Sequence, residues 1–290
     1  LTLNTLINPE EFNDAFILAK KAYEFGIDAI IVQDLGLAKV LIDSFPDLAI
    51  HASTQMSIHN LEGVLKLQEL GFKRVVLSRE LSIDEINYIC KNSNIEIECF
   101  IHGALCISYS GQCLFSSLVG GRSGNRGKCA QPCRLPYELY DGKHLLNKGY
   151  LLSTRDVYGL PFIPYLLNSG VSCFKIEGRM KSPEYVATVT RIYRKYIDLA
   201  KSNTEYIIDE KDRLDLLQVF NRGNFSSGHL GNEYNRKLIY KNKQNNMGLF
   251  LGKVQNYNNK KGHITLTLKQ PLSIGDTISL ENETRYIYYI

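Results

Sequence analysis

Apolar and polar positions follow two alternating periods along the first hundred residues. Short β-branched runs at 28–32, 48–51, 74–77 and 95–101 read as strands, and the amphipathic stretches between them read as helices. Pro9-Glu10-Glu11-Phe12 opens one helix, with proline near its first position and acids where the helix dipole favours them. The stretches 61–70 and 83–89 are two more. One helix per strand predicts a parallel sheet of the α/β class, most economically a (β/α) TIM-barrel-like domain. Leu3-Asn4 fits an early barrel strand, and 171–176 a late one followed by a long helix over 183–201.

Between 103 and 136 the pattern breaks. This stretch is rich in Gly, Ser, Cys and Arg and has no clean period. A loop so long is uncommon unless it is functional or tied down. Asp141-Gly142 then reads as a hairpin turn between 137–140 and 144–146. A polar linker over 241–246 separates the barrel-like domain, 1–240, from a small β-domain, 241–290. The runs 249–254, 263–268, 276–280 and 286–290 alternate as short strands and predict a small β-barrel or part of one.

Composition narrows the class. The chain has 290 residues, 44% of them hydrophobic and 22% charged, and a net charge of +4. That permits an anionic partner without requiring one. No apolar run approaches the roughly 20 residues of a membrane helix, and the start lacks the pattern of a signal peptide. The chain opens without Met and stops inside a strand-like run, which predicts a segment of a longer protein. A cytoplasmic setting is expected, where clustered cysteines bind metal or do redox chemistry in preference to forming disulfides.

Four of the seven cysteines, Cys106, Cys113, Cys129 and Cys133, fall inside the irregular stretch. Converging thiolates suit an iron–sulfur cluster, for which a glycine-rich loop supplies close backbone approach and N–H donors to sulfur. Structural zinc is an alternative, although zinc ribbons pair their cysteines more closely than Cys106 and Cys113. A cysteine nucleophile is a third, with His102 four positions before Cys106. Arg122, Arg126, Lys128 and Arg134 surround the second cysteine pair. They form a solvated basic loop, or they offset thiolate charge and hold an anionic ligand.

Long motifs here resemble those of the collagenase-like peptidases, family thirty-two of the unassigned peptidases. The signature lies at 98–116 (Glu-Cys-Phe-Ile-His-Gly-Ala-Leu-Cys-Ile-Ser-Tyr-Ser-Gly-Gln-Cys-Leu-Phe-Ser), and 124–134, 152–156, 174–185 and 51–57 are similar to further family blocks. Phe115 departs from the pattern, which prefers a small aliphatic residue there. The family's barrel has further βα units ahead of Leu1, which implies that part of the barrel is missing.

The resemblance implies more than one activity. Some relatives are called collagenases. Others are implicated in oxygen-independent hydroxylation of a transfer-RNA wobble uridine, a ribosomal-RNA cytidine or a ubiquinone precursor. The RNA-modifying relatives draw on prephenate for the hydroxyl group, and the quinone-modifying ones carry a 4Fe–4S cluster on four cysteines. Carried to this chain, the ligands are Cys106, Cys113, Cys129 and Cys133, with Cys173 in reserve. The expected function is hydroxylation of an RNA base, rRNA ahead of tRNA, with prephenate as hydroxyl donor. A protease and a cluster-holding accessory subunit of a complex are the alternatives.

Lys175, Glu177 and Arg179 alternate at the end of a predicted barrel strand, where such folds place their chemistry. They form an ion-pair network, or Arg179 with Arg155 or Lys175 grips a dicarboxylate such as prephenate. His51, Ser53 and Gln55 alternate after another strand and line the same pocket or simply close the strand end. Lys253, Tyr257, Lys260, Lys261 and His263 give the tail a basic, aromatic character that suits single-stranded RNA or a solvated face.

Overall fold

Strands β1 (Thr2–Leu3), β2 (Ala29–Val32), β3 (Ala49–Ala52), β4 (Arg74–Val76) and β5 (Glu96–Ala104) alternate with helices α1 (Phe12–Glu24), α2 (Leu35–Ser44), α3 (Leu61–Glu69) and α4 (Ile83–Lys91). These come from a computed structural model, which describes residues 1–202, 204–281 and 286–289. The helix starts are encoded locally. Asn8 and Glu11 form a capping box before α1, and Ser82 and Glu85 form another at α4. Asp34 accepts from the Leu37 N–H and Asn60 from the Gly63 N–H, each at 2.9 Å.

The first five strands lie side by side in chain order and all run parallel. Ile30, Val32, Ile50, Ala52, Val75, Ile97 and Ile101 fill one face of the sheet and pack with Leu37, Leu41, Val64, Ile86 and Ile89 of the helices. The opposite face is unlike a core. Register places Ile31, His51, Arg74 and Glu96 in one row across it.

After β5 come α5 (Phe115–Gly120), the hairpin β6 (Tyr137–Asp141) and β7 (His144–Gly149), then β8 (Asp156–Tyr158), α6 (Ile163–Ser169) and β9 (Cys173–Ile176). Strand β9 pairs parallel with the first part of β5, while β8 pairs antiparallel with its last residues, 102–104. Helices α7 (Pro183–Lys201) and α8 (Glu210–Val219) follow, then β10 (Phe225–Ser226), which pairs with β8.

Among the described residues no ladder joins β1 to β9 or β10. The sheet is mostly parallel and, among the described residues, is not closed into the expected barrel. Parallel β9 takes the edge of β5 opposite β4, while β8 runs against the last residues of β5 on the β4 side.

The tail forms β11 (Leu249–Asn258), β12 (His263–Leu268), β13 (Ile278–Glu281) and β14 (Tyr286–Tyr289), an antiparallel sheet in the order β12-β11-β14-β13. Among the described residues this sheet too is not closed into the expected small barrel. Leu249 and Leu251 pack against Leu217 of α8. Ile290, the end of the last expected strand, lies outside the described residues. The hairpin turn falls where expected, with Gly142 at φ +58°. No helix among the described residues is long and apolar enough to cross a membrane.

Candidate functional site

Strand β5 delivers the chain to Cys106, and the two cysteine pairs then meet beyond the C-terminal ends of the strands. Cys106, Cys113, Cys129 and Cys133 all line one cavity of about 160 Å³, together with Thr54, Gln55, Arg79, Tyr109 and Asn125. All four are free thiols.

Two of the sulfurs accept backbone hydrogen bonds from two residues onward. The Ser108 N–H stabilises the Cys106 thiolate, and the Gln131 N–H reaches the Cys129 sulfur at 3.4 Å. Gln131 takes a left-handed conformation, φ +56°, to turn the chain into Pro132 and Cys133.

Burial pushes the Cys106 thiol up, and the neighbouring Cys113 and Cys129 add to this, while the Ser108 N–H and Arg79 oppose it. Burial also raises the Cys133 thiol, against the pull of Arg134. Bringing a cation to these sulfurs would favour their charged form. Soft donors around one cavity, with N–H groups on the sulfurs, fit the donor set of an iron–sulfur cluster. Among the described residues no three His, Cys, Asp or Glu side chains converge tightly enough to hold a single metal ion.

The loop is fastened to the sheet at several points. The Ser110 N–H and hydroxyl both donate to Glu80 Oε1, at 2.9 and 3.0 Å. The Ser57 hydroxyl donates to the Ser110 carbonyl at 2.6 Å. Gly111, at φ +75°, lies so close to the Gln55 carbonyl that a Cβ would sit 2.3 Å from its oxygen. The second pair is held by the Ala130 N–H on the Ser116 hydroxyl, 2.9 Å, and by Arg134.

Several expected residues serve this fastening. Buried Arg134 donates to Leu105 O at 2.9 Å, Thr154 Oγ1 at 2.9 Å and Ser153 Oγ at 3.0 Å, and also to Thr154 O. Arg126 pairs with Glu11 of the segment before α1 and donates to Leu6 O, so it ties the insertion to the N-terminal segment. Arg122 Nε closes its own loop on Lys128 O at 3.1 Å. These partners are protein groups because long, irregular backbone needs them to stay ordered.

The strand-end residues divide. Lys175 pairs with Glu98 at 2.9 Å, and Arg74 meets the same carboxylate at 3.3 Å. Burial alone would raise Glu98, which is 5% exposed, but Lys175 and Arg74 overcome it and hold the carboxyl below its usual range. His51 faces this network, and its burial, then the charge of Arg74, lower its affinity for a proton.

Glu177 pairs with Arg79 at 3.3 Å. Arg179 is exposed, with its backbone N–H donating to Glu177 at 3.2 Å. Strand β9 ends at Ile176, so the alternation that would align Lys175, Glu177 and Arg179 stops before the last two. Arg155 lies beside Tyr240, 5.8 Å from its ring centre. Gln55 alone of the strand-end candidates lines the cysteine cavity.

His102 is 2% exposed and sits in the core. Its Nδ1 is hydrogen-bonded to the Tyr193 hydroxyl at 3.1 Å, and burial drives its pKa down to about 3. It lines a second, small cavity, which shares Arg79 with the first but none of the four cysteines. The structure therefore does not assemble the Cys106/His102 dyad. Cys173, on β9, has its thiol hydrogen-bonded to Glu98 and is not a lining residue of the cysteine cavity.

Arg79 was not singled out from the sequence. It stacks on Phe100, 4.0 Å from the ring centre, pairs with Glu177 and borders the cysteine cavity. Its position just past the end of β4, where βα folds keep their functional groups, was the available signal. Lys181, two residues before α7, was missed too. Burial lowers its pKa to about 8 beside Asp156 and the further cations Arg222 and Arg134.

A family model described as peptidase family U32 matches residues 1–239, and the chain belongs to that family. It is 36% identical to the 23S rRNA 5-hydroxycytidine C2501 synthase of Escherichia coli, over 97% of this chain and 43% of that one. It is 33% identical to the tRNA hydroxylation protein P1 of Bacillus subtilis, over 99% of this chain and 72% of the relative. It is also 34% identical to a collagenase of Porphyromonas gingivalis, over 98% and 72%. The chain thus spans less than half of the first relative and under three quarters of the others.

Proposed function

We propose that this protein belongs to an enzyme that hydroxylates an RNA base without molecular oxygen, acting in the cytoplasm. The observation that carries the reading is the meeting of Cys106, Cys113, Cys129 and Cys133 on one cavity. It is supported by similarity to proteins named for rRNA and tRNA hydroxylation. The sheet is read as an arc of a (β/α) barrel, with the site at the strands' C-terminal ends.

In this reading the four cysteines would hold a 4Fe–4S cluster, which would supply one-electron transfer. The residues around it do the rest. Ser108 and Gln131 direct N–H groups at two sulfurs and stabilise their charge. Replacing a base C–H by C–OH is a two-electron oxidation, so a hydroxyl donor must take up the electrons. A prephenate-like dicarboxylate suits that role. Arg79 is the cation that lines the cysteine cavity, its charge shared with Glu177, whereas Lys175 pairs with Glu98 away from that lining.

The reading is tested by iron and acid-labile sulfide assays on protein purified without oxygen, beside Cys113→Ala. About four of each per chain, lost in the variant, are expected for this centre. Zinc, or no metal in folded protein, would return the peptidase activity named for the Porphyromonas gingivalis relative to first place.

A further inference from the structure

We propose that Tyr109 is the platform on which a single-stranded nucleobase stacks at the mouth of the cysteine cavity. The proposal rests on the RNA reading above and goes beyond it by naming the contact. Tyr109 borders the cavity together with the four cysteines, yet it is 73% exposed. A large aromatic ring left in water beside a row of soft ligands is not serving a core.

Its backbone is held on both sides. Ser108 directs its N–H at the Cys106 sulfur. Ser110 is bound through its N–H, hydroxyl and carbonyl to Glu80 and Ser57. The Gln112 N–H closes a turn on the Tyr109 carbonyl at 3.1 Å, and Gly111 is pressed against Gln55. The ring therefore stands on a fixed mount with only its two side-chain torsions free, so little order is lost when a flat partner settles on it.

A pyrimidine is such a partner. Stacking of a base on an aromatic side chain needs no particular base identity and serves single strands or flipped nucleotides. Gln55 and Asn125 line the same cavity, and their amides offer both donors and acceptors to a base edge. Tyr109 would thus set how firmly a base is held, and the amides which edge it presents.

The test is fluorescence anisotropy of the full-length protein, purified without oxygen, with labelled oligocytidylate and oligouridylate. Tyr109→Phe should bind as wild type. Tyr109→Ala and Tyr109→Leu should bind roughly five-fold to a hundred-fold more weakly, the range measured for base stacking. Iron content and circular dichroism should match wild type in all three. The dependence of affinity on salt should also be unchanged in Tyr109→Ala, since a stacked ring neutralises no phosphate.

Wild-type affinity in Tyr109→Ala, or a Tyr109→Phe variant as weak as alanine, would overturn the stacking role and leave the RNA reading standing. Wild-type protein that binds neither oligonucleotide nor folded rRNA and tRNA would overturn both. Loss of binding together with a shallower salt dependence would reassign Tyr109 to ordering a phosphate contact and sink the proposal.

Discussion

Arg134, the residue after Cys133, donates its guanidinium to the carbonyl of Leu105, the residue before Cys106, at 2.9 Å. One buried side chain thereby joins the two cysteine pairs across an irregular stretch of chain. Its charge is tolerated because Leu105, Ser153 and Thr154 surround it with acceptors, although burial and the nearby Arg222 lower its pKa to about 10.

Arg134→Lys should cost about 3 kcal/mol of unfolding free energy, because an ammonium cannot span the acceptors that a planar fork reaches. Urea unfolding measures this. A midpoint equal to wild type would mean that the two cysteine pairs are held together by something else. Limited proteolysis should also cut the variant faster within 103–136.

Gly111→Ala should damage the same region by another route. The position has φ +75°, and an added methyl would meet the Gln55 carbonyl at 2.3 Å. A strained backbone and a clash together should cost about 2 kcal/mol or more. The circular dichroism of the helices should be retained while the melting temperature falls. A variant as stable as wild type would show that the loop can move off Gln55 freely.

His102 gives a pH dependence with a definite sign. Its folded pKa, about 3, lies below the ordinary value of 6.5 because burial disfavours the charged ring. Between those values the unfolded chain binds the extra proton, so stability is complete above pH 6.5 and declines as pH falls toward 3. The loss approaches an order of 4 kcal/mol at the low end. His102→Phe should flatten this part of the profile, read as urea midpoints at pH 7, 5 and 4. Equal slopes in the two proteins would place the proton elsewhere. Peptidase activity, if any is found, should survive the change.

Cys173→Ala should retain the iron and sulfide of the wild type, since its thiol is engaged with Glu98 on β9. Iron lost to the degree seen with Cys113→Ala would make Cys173 a ligand and require β9 to shift toward the insertion.

Much of the scaffold was legible because its signals are local. The alternation at 28–32, 48–51 and 74–77 and the helix over 183–201 reappear as β2, β3, β4 and α7 within a few residues. The meeting of the four thiols on one cavity was foreshadowed by their clustering in sequence.

What the sequence did not reveal depends on partners distant along the chain. Nothing beside Arg126 announces Glu11, and nothing beside Lys175 announces that Glu98 will take its charge. The antiparallel return of β8 was hidden for the same reason. A three-residue strand carries little pattern, and its direction is set by where the insertion ends. The strand alternation expected for Lys175, Glu177 and Arg179 does not carry past Ile176, where the strand stops.

The bonds that fasten the insertion run from protein to protein: Arg134 to Leu105, Arg126 to Glu11, Ser110 to Glu80 and Ala130 to Ser116. Small zinc domains are built otherwise, for they unfold when their metal is removed. Here the loop is fastened by protein groups, so if it holds the proposed cluster, loss of that cluster would leave the fastening in place.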